Sequence, residues 1–326
     1  MLSNVVNFLT EAFANLQTLL FESVVLPIAF YSGAGNLLDV AFEGTGWLLV
    51  GLIQIAVMVC LIAPLERWRP IEQQPDTAAV RVDVIYTLVQ RLGLFKLFMF
   101  FTFENAIETG FGVLRVEGFP TLNIDAIWPG VTDQAAVSFV LYLIVFDLVH
   151  YLIHRGQHQF NRWWALHSLH HSQRHMTLWT DNRNHLLDDV ITAMLLSIVA
   201  KLIGVGPGQF VALVAVSQLW ENLEHANFKC SFGWLGDRLL ISPRFHRLHH
   251  SIGIGHESAG RKTLGGHNFG VLFPWWDMLF KTADFSDRYD PTGVRDQVEE
   301  GRDYGRGYWA QQKLGLVRLF ERRQNA

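Results

Sequence analysis

Apolar runs too long for the core of a water-soluble domain dominate the pattern along this chain. The clearest is Gly46 to Leu65, GWLLVGLIQIAVMVCLIAPL, with Gln54 as its main polar interruption. At 1.5 Å per residue, about 20 helical residues cover the roughly 30 Å hydrocarbon core of a bilayer. The same pattern predicts further membrane helices at about residues 16–32, 84–103 and 134–153, each with a few polar groups, as expected of helices facing a bundle interior. Two shorter apolar stretches, 190–203 and 208–220, are separated by Gly204, Gly206, Pro207 and Gly208. They read as a helical hairpin that dips into or crosses the bilayer. The predicted class is therefore all-α: a polytopic helical membrane protein.

Charge orients these helices. Arg67 and Arg69 follow the Gly46–Leu65 run at once, which places that end in the cytoplasm by the positive-inside rule. Counting from there puts the N-terminus inside, residues 104–133 outside, and the C-terminal end of the 134–153 helix inside. Arg155, Arg162, Arg174 and Arg183 then fall on the cytoplasmic side. The first twelve residues carry no Lys or Arg, unlike a cleavable secretory signal. Three regions are expected: membrane helices over 1–133, a region over 134–285 that holds every histidine, and a charged, Gly-rich cytoplasmic cap or tail over 286–326.

Composition removes several functions. The net charge is −4 and no basic stripe stands out, which argues against a nucleic-acid partner. Cys60 and Cys230 are the only cysteines, too few for a disulfide framework or a thiolate zinc site. The excess of arginine over lysine suggests a GC-rich bacterial genome, and with it a bacterial inner membrane.

What changes the picture is where the histidines lie. All fourteen fall between His150 and His267. Eight of them form three clusters: His154-x3-His158, His167-x2-His170-His171 and His246-x2-His249-His250. Imidazole is the commonest nitrogen ligand for iron, zinc and copper. Residues three and four apart share a helix face, so each cluster converges, and each triplet is expected to supply most of one ion's shell. Eight such ligands suit two ions. His225, four residues after Glu221, is a ninth candidate, with Glu221 expected to orient a ligand imidazole. His150, His175, His185 and His267 are candidates for supporting positions around the ligands, and His256, in a glycine-rich stretch, is expected to matter little. Trp163, Trp164, Trp179, Trp275 and Trp276 line a lipid entrance or belong to an ordinary aromatic belt. A zinc hydrolase is disfavoured because no His-Glu-x-x-His occurs. A histidine-rich metal transporter would hold its ligands at the bilayer midplane. Here Arg155, Arg162, Arg174, Arg244 and Arg247 place them at the membrane surface.

These strings resemble a known family. DLVHYLIHRGQH at 147–158, WWALHSLHH at 163–171 and SPRFHRLHHS at 242–251 look like the three histidine boxes of the fatty acid hydroxylase/sterol desaturase superfamily. EHAN at 224–227 resembles its His-x-Asn segment, and HNFGVLFPWWDMLFKT at 267–282 its Asn-aromatic-Gly and Trp-Asp ending. The resemblance implies a membrane-embedded centre of two non-haem irons that activates dioxygen and hydroxylates a lipid C–H bond, with desaturation as the near neighbour. By position, the eight box histidines and His225 inherit ligand roles. The chain departs from the pattern in three places. His185-Leu186-Leu187-Asp188 stands where the family often has His-Pro-x-Glu, Lys281 replaces a usual glycine, and His150 replaces a common aromatic residue. No flavin or haem signature is visible, and the glycine-rich stretches 204–208 and 253–270 lack the strand–turn–helix context of a dinucleotide site. Electrons are therefore expected from a separate ferredoxin- or cytochrome-type carrier.

Overall fold

The computed structural model describes residues 2–73, 76–252 and 266–321. His256 lies outside the described residues. Among these, every extended element is a helix, and strand-like pairing is limited to an isolated antiparallel bridge between Ser251 and Thr292. Three helices are long and apolar enough to cross a membrane: Phe8–Tyr31 (α1), Gly35–Trp68 (α2) and Ala135–Gln159. Thr77–Arg91 (α3) and Leu94–Val116 (α4) form a pair bent by 51° that reaches the same standard only when taken together. The pattern predicted one continuous helix over 84–103. The chain breaks there because Gly93 adopts φ +82, a left-handed conformation open to glycine and closed to a continuing helix.

Ala135–Gln159 is α5, followed by α6 (Asn161–His171). The two shorter apolar stretches form α7 (Leu186–Ile203) and α8 (Pro207–His225), parted by Gly204 at φ +76. Neither is among the helices that meet the crossing standard. Short helices follow: α9 (Gly233–Leu239), α10 (Pro243–His249), α11 (Trp275–Leu279) and α12 (Arg295–Glu299), then the longer α13 (Tyr308–Phe320).

The chain divides into two compact units. The first comprises Met1–Val57 and Leu88–Asn105. Within it the Gln17 amide donates to the Phe42 carbonyl at 2.9 Å, and the Phe21 and Phe42 rings meet edge to face at 5.2 Å. The second comprises Met58–Thr87 and Ala106–Ala326, and contains all the histidines. Its apolar core is built from Tyr142, Phe146 and Ile153 of α5, Leu196 and Ala200 of α7, and Leu213 of α8. A second cluster packs Met58 and Ile62 against Leu178, Ala226 and Phe228. The C-terminal stretch packs on α6: Trp164 is buried with Val294 and Tyr304, and Gln312 of α13 bonds Leu186 N, Asn184 O and the Tyr86 hydroxyl.

Polar groups inside this unit are paired across long sequence distances. The Asp83 carboxylate of α3 is fully buried and accepts from Arg183 Nη1 at 2.6 Å, from Gln173 and from Thr180. Arg183 Nε also donates to the Leu169 carbonyl at 3.3 Å, so the pair fixes the exit of the second histidine box. Removing one member of a buried ion pair strands the other and typically costs about 3–5 kcal/mol. Arg183→Ala should therefore lower stability by that order in detergent unfolding assays. An Asp83→Leu/Arg183→Leu double variant should regain most of the loss. A single-variant loss below about 1 kcal/mol would mean that the pair does not hold the fold.

Candidate metal centre

The sequence of α5 sets two imidazoles one turn apart at its last turns, His154 and His158, with ring centroids 5.3 Å apart. Phe160 ends that helix in an extended conformation, and α6 turns back so that His167 and His171 face the α5 pair. Ser242 caps α10 and launches the third box from the opposite side. His225 arrives at the last residue of α8, held in place by Asn227. The Asn227 side chain accepts from Ile71 N and Glu72 N at 3.0 Å each and donates to the Glu72 carbonyl.

All nine imidazoles are buried and fall into two adjacent sets. His154, His158, His167, His171 and His249 form one, and His170, His225, His246 and His250 the other, with the ligand atoms of each set within 4.8 Å of one another. Stacked rings of His171 and His250, 4.3 Å apart, join them. The expectation that each triplet supplies one ion is corrected here, because both triplets are shared between the sets. In a helix of 3.6 residues per turn, His167 and His171 differ by about 40°. His170 lies about 60° to the other side of His167, so it faces the second set. His246 and His250 repeat the i, i+4 pairing in the third box, and His249 departs to the first set.

Four of the nine rings are oriented through Nδ1. Nδ1–H of His154 donates to the Phe269 carbonyl at 2.9 Å, His249 to the His267 carbonyl at 2.7 Å and His225 to the Glu221 carbonyl at 2.7 Å. His167 Nδ1 donates to the Asp188 carboxylate at 3.2 Å. A carbonyl can only accept, so these bonds fix the tautomer and turn each Nε2 lone pair inward. The Nε2 atoms of His154, His167, His171 and His249 are buried with no hydrogen-bond partner. In the second set, His225 Nε2 lies 3.1 Å from His170 Nε2 and 2.9 Å from His246 Nε2, and His250 Nε2 lies 3.2 Å from His246 Nε2. Two lone pairs that close repel unless something positive lies between them. For ligands at right angles, a metal–nitrogen bond of roughly 2.1 Å gives a nitrogen–nitrogen edge of about 3 Å. The donor sets fit metal ions.

Burial, and then the charge that neighbouring imidazoles would carry, holds His170, His171, His246 and His250 well below the ordinary imidazole range. Burial does the same at His249, against the opposing pull of the His267 carbonyl. Neutral rings keep the lone pairs that a metal needs.

The supporting candidates are placed unequally. The backbone carbonyls of Glu221 and His267 accept from the His225 and His249 rings. His185 caps α7: its Nδ1 accepts from Leu187 N at 3.1 Å and its Nε2 donates to the Gln312 carbonyl at 2.9 Å. Both of its nitrogens are thus engaged away from the ligand rings. His175 faces Glu72 at 3.6 Å, and half-buried His150 makes no ring or hydrogen-bond contact with the nine among the described residues. Of the tryptophans, Trp164 neither lines an entrance nor joins a belt, because it is 2% exposed beneath His158 and His171. Trp163 donates to Asp188 at 2.6 Å and Trp276 to Asp147 at 2.9 Å.

Sequence reasoning missed the groups that hold the rings. Asp188 looked only like a departure from a motif, yet it gathers His167, Trp163 and Gln157. The HNFG segment is a strap whose carbonyls at His267 and Phe269 orient ligands from two different boxes. Asn268 takes φ +58 and bonds the Phe245 and Asp284 carbonyls, while a Cβ on Gly270 would meet Phe273 O at 2.8 Å and Asp277 Oδ2 at 2.9 Å. A motif carrying Asn and Gly two residues apart was the available signal. Glu224, buried with its Oε2 3.7 Å from His246 Nδ1, gave none beyond its place beside His225.

Residues 139–282 match the fatty acid hydroxylase family. The chain is 28% identical over 251 residues to the ornithine lipid hydroxylase of Rhizobium tropici, covering 74% of this chain and 70% of that protein. It is 28% identical over 185 residues to the alkylglycerol monooxygenase of Caenorhabditis elegans, covering 56% of this chain and 34% of the relative. With the Delta(7)-sterol 5(6)-desaturase of Gibberella zeae it shares 29% identity over 142 residues, 44% of this chain and 40% of the relative. No solved structure matches the chain. The matched span holds every imidazole of the two sets, in the box order read from the sequence, and through it the chain belongs to the fatty acid hydroxylase/sterol desaturase superfamily.

Proposed function

We propose that this protein is a membrane-bound oxygenase that hydroxylates a C–H bond of a lipid acyl chain at a centre of two non-haem irons. The observation that carries the reading is the double set of nine buried imidazoles, four of them oriented through Nδ1 by carbonyls or a carboxylate. His154, His158, His167, His171 and His249 would hold one ion, and His170, His225, His246 and His250 the other. Bound iron would supply the redox chemistry that activates dioxygen, which zinc lacks. The balance is R–H + O2 + 2 e− + 2 H+ → R–OH + H2O, with the electrons delivered by a separate ferredoxin- or cytochrome-type protein. The chain's own residues contribute orientation and dryness. Asp188 and the His267 and Phe269 carbonyls fix ring tautomers, and Trp164 and Phe269 seal the side against the His158 ring. The ornithine lipid hydroxylase relative favours an amphipathic bilayer lipid as the substrate class.

The proposed topology places the boxes and the C-terminal region on the cytoplasmic side, following Arg67, Arg69, Arg155 and Arg162. Cysteine-accessibility labelling near positions 160, 245 and 310 should mark all three from that side. Labelling of 160 and 245 from opposite faces would overturn both the topology and the shared centre.

Anaerobically purified protein should carry close to two irons per chain. Incubation with candidate lipids and an electron donor should give products heavier by one oxygen under air and none under nitrogen. Products lighter by two hydrogens would reassign the reaction to desaturation. One tightly held zinc with no iron-dependent activity would remove the diiron reading.

Single substitutions should separate ligands from their supports. His170→Ala and His249→Ala, one from each set, should abolish product and lower metal content. Asp188→Ala should weaken metal binding by about 10–100-fold, the usual effect of losing a ligand's hydrogen-bond partner, with partial recovery in Asp188→Asn. His185→Ala should keep its metal and lose about 1 kcal/mol of stability as an α7 cap. Full metal content in His249→Ala together with an empty site in His185→Ala would invert the assignment.

A further inference from the structure

The stretch from Asn268 to Thr282 does not stay at the level of the metal centre. It runs along α5, away from the ligand end. The Phe269 carbonyl meets His154, the Thr282 and Tyr151 hydroxyls are 3.0 Å apart, and the Phe280 ring stacks on Tyr151 at 5.3 Å. Beyond these, Asp147 accepts from Leu272 N at 2.8 Å, Phe273 N at 3.2 Å and Trp276 Nε1 at 2.9 Å. Seven helical residues separate His154 from Asp147, about 10 Å toward the middle of a helix long enough to span a bilayer. Irregular backbone at membrane depth survives only where protein satisfies its polar groups. Asp147 does so from α5. Asp277 does so from within the stretch, accepting from Phe269 N, Gly270 N and Thr282 Oγ1.

The outer side of this stretch is apolar. Leu279 on α11 is 65% exposed, and Trp234 and Leu235 on α9 are 74% and 61% exposed. The two short helices are tied by a 3.1 Å bond from Trp275 Nε1 to the Arg238 carbonyl. Charge lies on the metal-centre side, where exposed Lys281 follows Phe280 and Arg155 donates to the Tyr151 hydroxyl at 3.2 Å. Of the cations at α9, Arg238 is stacked over the Trp234 and Phe285 rings and donates to the Trp234 carbonyl, and Arg244 is paired with buried Asp237. Exposed apolar side chains beside basic groups that stack on aromatic rings or bond within the protein are what an element lying in a membrane interface carries.

We propose that α9 and α11 form a wedge inserted into the acyl region of the bilayer on the metal-centre side, with lipid tails as its partner. The proposal rests on the reading of Ala135–Gln159 as a membrane span. The wedge gives the irregular Asn268–Thr282 strap an apolar cover and brings acyl chains alongside the segment whose Phe269 carbonyl orients His154. A bilayer lipid thereby approaches the centre without entering water.

The test uses the full metal-loaded chain in phosphatidylethanolamine/phosphatidylglycerol vesicles, with Cys60→Ser and Cys230→Ala removing the native thiols. Nitroxide labels at Leu235→Cys and Leu279→Cys are compared by power saturation, using oxygen as the lipid-soluble relaxant and a nickel chelate as the aqueous one. Leu152→Cys on α5 is the lipid reference, and Lys313→Cys on α13 the aqueous one. The oxygen-to-nickel accessibility ratio at 235 and 279 should match Leu152 and exceed Lys313 severalfold. Ratios at 235 and 279 equal to that of Lys313, with Leu152 still lipid-like, would overturn the wedge and leave a water-facing apolar surface suited to a soluble protein. A water-like ratio at Leu152 would instead overturn the span reading beneath it. Met278→Cys replaces either label site should that variant fail to retain metal and helicity.

Discussion

Nine imidazoles packed edge to edge in a buried volume are the constraint to which the second unit is built. A buried nitrogen without a partner costs roughly 1–3 kcal/mol, and a charged imidazole there would cost far more. Burial keeps His170, His171, His246, His249 and His250 below the ordinary imidazole range, and carbonyls or a carboxylate hold the Nδ1 atoms of His154, His167, His225 and His249. What remains is a concentration of inward lone pairs that only a cation relieves. Metal binding would therefore couple to folding in this unit, since the free energy of ligation would offset the strain of assembling the sets.

The elements that hold the rings are irregular, and their polar atoms need partners of their own. The HNFG strap illustrates the hierarchy. Its carbonyls face His154 and His249, so its amides must find acceptors elsewhere, and Asp277 supplies them at Phe269 and Gly270. The cost appears at Lys281, which holds φ +60 at the turn returning Thr282 to Asp277. A glycine would take that conformation without strain, which explains physically why the superfamily ending resembled here usually has one. The Lys281 side chain is exposed, so the substitution removes no packing and the strain stays local.

The histidine spacing made the chemistry legible because helical periodicity projects directly from sequence to space. Boxes at i, i+3, i+4 announce converging rings, and the long apolar runs announce α1, α2 and α5. The same periodicity, followed one step further, also contains the split of each triplet. Counting residues on a shared face obscured it, since His170 and His171 lie about 100° apart on α6 and fall in different sets. Less legible were contacts that depend on tertiary proximity. Nothing local in Asp188 or Asp83 announces partners 21 and 100 residues away. The burial of Trp164 depends on Val294 and Tyr304, which lie in a stretch whose charge suggested solvent. The bend at Gly93 was a local signal that apolar continuity outweighed.

The long-range pairs have a common placement. Asp83–Arg183 ties α3 to the exit of the second box, Asp188 ties α7 to both arms of the α5–α6 turn, and Asn227 ties the third approach to the chain after α2. Each fixes a segment beside the histidine sets to a part of the chain distant in sequence. Apolar packing alone would leave such helices free to slide by fractions of a turn, since one aliphatic contact resembles the next. A buried carboxylate with two or three donors has one satisfactory position. Where two sets of imidazoles must sit side by side, that positional uniqueness is what the buried charges contribute, and it explains why so many polar groups are retained inside a unit this apolar.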